Sequence, residues 1–597
     1  MAGDTLARMF WSRVEAGGER PAELVKSGAG WQPLTWRDVG DAVREAALGL
    51  LALGRRRGDA VALLSRSRGE WVHADFAILS AGCRTVPIYP SYTPAQVAGI
   101  VNDAEARTLI VEDPAQLAKA LEVKSRMPGL AEIVVIQDDE RHAPPVLTWA
   151  DLRRLGREGG DTLRRALADR VASIEAGDVA TIVYTSGTTG EPKGVVQTHA
   201  NHMASLAAVA RIPGVEPGDV HLLFLPLAHS FARLEAFMGV HRRLVTAFAE
   251  SLDRVGENLR EVRPHFIFAV PRVFEKVHAK ILGDVEAGSR LRRRIFAWAL
   301  SVGMRVSRLE QARRPVPAAL ALRRRLAHRL VFGRLHAALG GRLRFAVSGG
   351  APLPREIAEF FHAAGILIVE GYGLTETCPA LTFNRIDRFK FGSVGQPLPG
   401  VEVRVAADGE ILARGPNVAM QGYWRQPAAT AEAFDADGWF HTGDIGRIDE
   451  DGFVYITDRK KDLIVTSGGI NIAPQLVENL LRTDPLVSQA MVYGDGRPYP
   501  TALISLDAGA LARWAREHGI LVTDPAALAR QPRVLERVQS VVDAKNAELP
   551  SYARIKRFAV LPAELSEEAG ELTPTQKVKR RIVAEKYRAA LEALYRP

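Results

Sequence analysis

The sequence predicts an α/β fold: a large N-terminal domain of parallel-sheet α/β subdomains plus a small β region, followed by a small α+β C-terminal domain. Three observations predict it. Short apolar strands alternate with helix-period segments through the front third of the chain, and again at residues 266–277 and 343–353. That rhythm belongs to parallel sheets joined by helical crossovers. After about residue 391 the pattern changes to alternating residues with Gly/Asp turns, and the final stretch of about 130 residues has its own helices, strands and a Lys/Arg-rich tail, enough for a separate small domain.

Taken in order, residues 38–54 have helical period and stop at Gly54, a helix-ending residue. The apolar run AVALLS (60–65) reads as a strand and residues 70–81 as a helix. TVPIYP (85–90) reads as a strand, residues 94–103 as a helix and TLIVED (108–113) as a strand. Residues 392–415 read as antiparallel β and close with GFVYITDRKKDLIV (452–465). The domain boundary is placed where a strand meets a charged turn, giving domains of 1–458 and 459–597.

At 597 residues the chain exceeds a single core, and 47% hydrophobic with 25% charged residues describes a globular protein rather than a disordered one. The expectation is a cytoplasmic protein. No apolar run reaches the ~18 residues of a membrane span, the start lacks a secretory apolar region, and Cys83 and Cys378 stand far apart without metal-ligand spacing. The net charge of +9 favours anionic partners. Between Arg290 and Arg344 lie fifteen Arg, no Lys and a single acid, Glu310. Ile295, Phe296, Trp298 and Leu300, then Leu322, Leu326 and Leu330, interleave at helical spacing. Two readings stand: solvated amphipathic helices, or a surface resting on anionic lipid at the inner membrane face. Nucleic acid ranks third and is not expected as a partner, since no binding motif accompanies the basic stretch.

The strongest local signal is YTSGTTGEPKG (184–194), which follows the apolar strand ATIVY (180–184). Glycines and small hydroxyl residues let backbone N–H groups approach a polyphosphate, and Lys193 adds a positive charge. The spacing departs from G-x-x-x-x-G-K-[ST], which disfavours a P-loop ATPase.

Further motifs follow in order: VSGGAPLP (347–354), EGYGLTET (370–377), GWFHTGDIG (438–446), DRKKDLIVTSGGINIAP (458–474) and LTPTQKVKR (572–580). With YTSGTTGEPKG, this set resembles the adenylate-forming (AMP-binding) superfamily over roughly residues 30–585. LPLAHSFARLEAF (225–237), the Arg-rich insert and the ending ELTPTQKVKR resemble the bacterial long-chain fatty-acyl-CoA synthetases. The resemblance implies that a fatty carboxylate attacks the α-phosphate of ATP, and that CoA then takes the acyl group and releases AMP.

The same resemblance implies roles for individual residues. Thr185, Ser186, Gly187, Thr188, Thr189, Gly190 and Lys193 form the triphosphate loop. Glu376, with Thr185, holds Mg²⁺. Gly350, Ala351, Glu370, Gly371 and Tyr372 build the adenine pocket, and Thr375 reaches the α-phosphate. Asp444 clamps the ribose and Arg459 contacts the nucleotide. Lys461 is the hinge about which a mobile C-terminal domain turns, and Ser467, Gly468 and Gly469 face the CoA channel. Lys577 bridges carboxylate and α-phosphate, although Gln576 replaces the commoner glycine and Lys579 is a neighbouring competitor. His229 stands between acyl and CoA channels in this reading, or is a hydrogen-bonded structural histidine. Arg233 falls near a gate position, where its charge speaks against a simple apolar gate. Two rivals remain: a fatty-acyl-AMP ligase loading a carrier protein, and an inactive lipid-binding homologue. Chain length and oligomeric state stay open.

Overall fold

The computed structural model describes residues 4–28, 30–138, 140, 142–185, 192–522, 524–573 and 575–596. Its N-terminal part is built on two large sheets. The seven-stranded sheet runs Val146–Thr148, Glu132–Val135, Ala106–Val111, Ala60–Leu64, Arg84–Ile88, Val179–Thr185, Lys193–Thr198, parallel throughout except for the last pair. The nine-stranded sheet has a parallel centre of Leu367–Tyr372, Phe345–Ser348, Phe266–Ala269, Val220–Leu223 and Val245–Phe248. The N-terminal hairpin, Pro21–Ser27 with Gly30–Thr35, joins that second sheet beside Val245–Phe248 rather than the sheet nearest in sequence.

Local signals set the element ends. Helix Trp36–Ala52 begins with a capping box, Thr35 accepting from the Asp38 N–H while Asp38 accepts from the Thr35 N–H. It ends before Gly54, whose φ of +75° suits glycine. Helices Gly69–Ser80 and Pro94–Asp103 fall where the periodicity placed them. The β region is a four-stranded antiparallel sheet, Glu402–Val405, Glu410–Arg414, Phe440–Ile448 and Val454–Arg459.

From Ile464 onward a separate apolar core forms, with Val477, Leu481, Ile504, Val538 and Val541 among its members. It packs helices Pro474–Leu481 and Pro532–Ala547 with the sheet Val487–Tyr493, Thr501–Leu506, Arg557–Val560. This small domain is clasped by helix Pro271–Glu286 of the large one. Arg482 Nη2 bonds both Glu275 oxygens at 2.7 and 2.6 Å, and Arg272 donates to Ser488 Oγ at 2.8 Å. Among the described residues no helix is long and apolar enough to cross a membrane.

Arg233 is no gate. It lies in the middle of helix Ser230–Arg242, 1% exposed, in the core between the sheets. Its Nε and Nη2 donate to the two Asp75 oxygens at 2.8 and 2.6 Å, and its Nη1 donates to Thr181 Oγ1. The Thr85 hydroxyl completes the Asp75 shell at 2.6 Å. Removing one partner of such a buried pair strands a charge. Asp75→Ala is therefore expected to cost about 3–5 kcal/mol, read as a lower urea midpoint for the large domain. Replacing both partners, Asp75→Leu with Arg233→Met, should recover most of that loss.

Candidate active site

Two of the motifs begin at the carboxyl ends of parallel strands, Thr185 ending Val179–Thr185 and Tyr372 ending Leu367–Tyr372, the usual place for ligands in open α/β sheets. Thr185 ends the strand Val179–Thr185 and pairs in register with Lys193, which begins the next strand. The two ends of the triphosphate-loop motif are thus held side by side. Ser186, Gly187, Thr188, Thr189 and Gly190 lie outside the described residues.

Lys193 reaches across to a second motif. Its Nζ sits 5.1 Å from the Tyr423 ring centre, and the Tyr423 hydroxyl donates to Glu376 Oε1 at 2.8 Å. Thr375 and Glu376 belong to a tight 3₁₀ turn, Thr375–Thr377, pinned by Gln197 Nε2 donating to the Thr375 carbonyl at 2.6 Å. Lys193, at one end of the triphosphate-loop motif, and the carboxylate that would carry a metal are therefore linked through Tyr423. Among the described residues no group of three or more His, Cys, Asp or Glu could hold a metal by itself. Glu376 and Thr185 offer oxygen donors only, a set that suits a hard cation whose remaining ligands come from phosphates and water.

Glu370 braces the turn that carries Gly350. Glu370 is buried and accepts from the Leu353 N–H at 3.2 Å, so its carboxyl steadies the 349–353 turn. Burial pushes its pKa up to about 8, with the Leu353 N–H opposing. Gly350 takes φ of +80° in that turn, with Ala351 beside it. At Gly371 an added Cβ would lie 2.9 Å from the Phe383 ring.

The third group is electrostatic. Asp444, buried on strand Phe440–Ile448, accepts from the Tyr372 hydroxyl at 2.6 Å and pairs with Arg459 Nε at 2.9 Å. Lys577 enters the same field. Water reaches its side chain, yet the protein packed around the ammonium pushes its pKa down to about 8; Arg459 acts in the same direction and Asp444 opposes. His229 is held neutral, at about 4, by burial first and the Lys577 charge second. Its Nδ1 accepts from the Phe231 N–H at 3.1 Å, which leaves the ring proton on Nε2. It is thus a helix cap and a wall of the central cavity at once.

Lys461 stands in the short turn Lys460–Asp462 between the two domains. Ser467, Gly468 and Gly469 lie on the exposed turn of the hairpin Ile464–Val465 with Asn471–Ile472, and they do not line the cavity. In this pose Lys577 is at the site and that turn is away from it.

Two family models cover nearly the whole chain: AMP-binding enzyme over residues 10–424 and AMP-binding enzyme C-terminal domain over 461–597. The chain belongs to the AMP-binding enzyme family. Its relatives in that family include the long-chain-fatty-acid--CoA ligase FadD15 of Mycobacterium tuberculosis, 40% identical over 95% of this chain and 92% of the relative. They also include the long-chain-fatty-acid--CoA ligase ACSBG2 of Rattus norvegicus, 32% identical over 99% and 93%. Among solved structures, the anthranilate CoA ligase AuaEII in complex with anthranoyl-AMP superposes with a TM-score of 0.75 at 20% identity, covering 99% of each chain. The adenylation domain of a carboxylate reductase from Mycobacterium chelonae gives 0.74 at 24%, covering 100% and 92%. These two likenesses show the fold of this AMP-binding enzyme.

Sequence reasoning passed over two residues that join these motifs. Tyr423 bridges Lys193 and Glu376, and nothing but a glycine before an aromatic pair marks it in the sequence. Lys460 anchors the interdomain turn to Asp408 at 2.7 Å and Glu410 at 2.9 Å. The charge balance at Lys577 yields a direct prediction. Competitive acylation of surface and site amines should give Lys577 a midpoint near 8, against 10.5 for an ordinary lysine. Asp444→Asn should move that midpoint down, because it removes the anion that favours the ammonium. Arg459→Gln should move it up.

Proposed function

We propose that this AMP-binding enzyme is a long-chain fatty acid–CoA ligase (AMP-forming), acting in the cytoplasm in peripheral contact with the inner membrane face. The observation that carries the reading is a cavity of about 1070 Å³ lined in part by His229 and Gly350, just above the ~300–1,000 Å³ typical of ligand sites. Thr575 and Gln576, next to Lys577 in the chain, are also among its lining residues. Its apolar wall includes Phe274, Leu339, Leu343, Phe361 and Ile366. Such a space suits a chain of methylenes whose carboxylate emerges at the nucleotide. The names of the 40% and 32% identical relatives support the same substrate class.

In this reading a carboxylate oxygen bonds to the α-phosphorus of ATP, and the bond to pyrophosphate breaks. The thiolate of CoA then attacks the acyl carbonyl, and AMP leaves. Crowding a carboxylate against a triphosphate is costly, so the work falls to positioned cations and donors. Lys193 orders the triphosphate loop, Asp444 and Tyr372 hold the nucleoside, and Arg459 approaches from the domain boundary. Lys577 stands between the two reacting anions. Glu376 and Thr185 would hold Mg²⁺, which when bound neutralises part of the triphosphate charge.

The second half-reaction requires the small domain to turn at Lys461, withdrawing Lys577 and bringing the Ser467–Gly469 turn to the cavity mouth. The clasp of Arg482 on Glu275 must open for that movement.

Two measurements test the reading. AMP release from ATP should depend on CoA and peak with long acids in a series from C2 to C20; adenylate without CoA-dependent AMP would instead mark a carrier-loading ligase. Lys577→Ala should slow adenylation ~10²-fold or more, as for loss of a transition-state cation, while largely sparing thioester formation from supplied acyl-adenylate. Unchanged pyrophosphate exchange in that variant would transfer the role to Lys579.

A further inference from the structure

The arginine-rich insert folds as two helices, Arg290–Gln311 and Ala318–Ala327, the second running on through a π turn at His328–Phe332. Its residues divide sharply between an inner and an outer face. Ala299, Val302, Val306, Leu320, Ala327 and Phe332 form a small core of their own with Ala364. Gly303 backs onto helix Arg355–Ala363 so closely that an added Cβ would stand 2.2 Å from the Ala363 carbonyl oxygen. Phe296 and Leu300, which the sequence pattern left beside the membrane-facing residues, turn inward instead; the Phe296 ring lies 6.4 Å from that of Phe360. Phe361, next in the chain, lines the acyl cavity.

The outer face is different. Leu322, Leu326 and Leu330 succeed one another every four residues and are 67%, 48% and 51% exposed. Leu291, at 68%, and Trp298, at 36%, extend the apolar surface on the first helix. Arg323, Arg325 and Arg329 flank the leucine stripe, and Arg292, Arg293 and Arg294 stand exposed beside Leu291. The single acid of the whole segment is spent inside it. Glu310 accepts from Arg324 at 2.7 Å and lies 3.4 Å from His362 Nε2. Among the described residues none of the six flanking arginines has an acidic partner. The face is therefore cationic and apolar together, and no described residue compensates either property.

We infer that this face, centred on Leu322, Leu326 and Leu330 with Arg323, Arg325 and Arg329, seats the protein on an anionic phospholipid bilayer. Each component finds its counterpart there: guanidiniums meet lipid phosphates, and leucines enter the headgroup–acyl boundary. A second copy of the same face is opposed by its own like charge. A nucleic acid would use the arginines and leave the leucines wet. The inference rests on the long-chain ligase reading for its purpose, since the first insert helix packs on helix Arg355–Ala363, whose Phe361 lines the cavity. Its test is independent of that reading.

The test is sedimentation of the full chain with vesicles of phosphatidylglycerol or of phosphatidylcholine. The protein should pellet with the first and not the second, and raising salt to ~0.5 M should cut binding about tenfold or more. Arg323→Gln/Arg325→Gln/Arg329→Gln should abolish binding. Leu322→Ser/Leu326→Ser/Leu330→Ser should weaken it about tenfold and leave its salt dependence in place. AMP release from a water-soluble medium-chain acid without vesicles should be unchanged in both variants; if either loses it, Leu326→Ser alone replaces the triple variant. Equal binding to both lipids, binding to neither, or variants that bind like the parent would each overturn the inference. So would a duplex DNA that binds as tightly as phosphatidylglycerol and is unaffected by the serine changes. Turnover without vesicle binding removes the surface and keeps the ligase; vesicle binding without CoA-dependent AMP release does the reverse.

Discussion

The Arg233 guanidinium is the fixed point around which the large domain is arranged. It comes from helix Ser230–Arg242 and meets Asp75 from helix Gly69–Ser80 and Thr181 from strand Val179–Thr185. Asp75 in turn holds Thr85 of the neighbouring strand. Four elements are thereby tied through one buried charge, whose desolvation is offset chiefly by the bidentate pair with Asp75 and by the Thr181 hydroxyl. Trp71 and Phe237 stand at cation–π distance, 5.9 and 5.0 Å from the guanidinium carbon. Strand Val179–Thr185 ends at the first residue of the phosphate-loop motif. The strand end that leads into the loop is consequently set from the core outward.

Much of this architecture was readable because its signals are local. Residues 38–54 carry a period, a capping residue and a terminal glycine in one stretch, and the helix Trp36–Ala52 follows them closely. The apolar runs at residues 60, 85 and 108 become neighbouring parallel strands. Pairings between distant segments left no such mark. Glu23 of the N-terminal hairpin is in register with Thr246, more than two hundred residues on, and its carboxylate meets His73 at 3.1 Å. A single sequence records the alternation of a strand but not its partner.

The site divides along the same line. The carboxylates Glu376 and Asp444 sit in contiguous motifs, which is why the sequence singles them out. It does not show their electrostatic setting. Arg459 and Lys577 are 118 positions apart, yet after burial the Arg459 charge is what lowers the lysine pKa, with Asp444 opposing. Arg233 shows the opposite failure: a position read from resemblance as near a gate is occupied by a core ion pair. Charge alone raised the doubt, and burial resolves it.

The absence of lysine from the Arg290–Arg344 segment has a chemical meaning. Guanidinium keeps its proton throughout the physiological range and is a poor nucleophile, whereas an amine of ordinary pKa is partly free and reacts with activated carboxyl groups. A ligase of the proposed kind makes two acylating agents in succession, a mixed anhydride and a thioester, close to where it would rest. A lysine-based anchor would be exposed to its own product and would lose charge with each amide formed. An arginine-based anchor cannot be erased in that way, so where the protein sits is chemically insulated from what it makes.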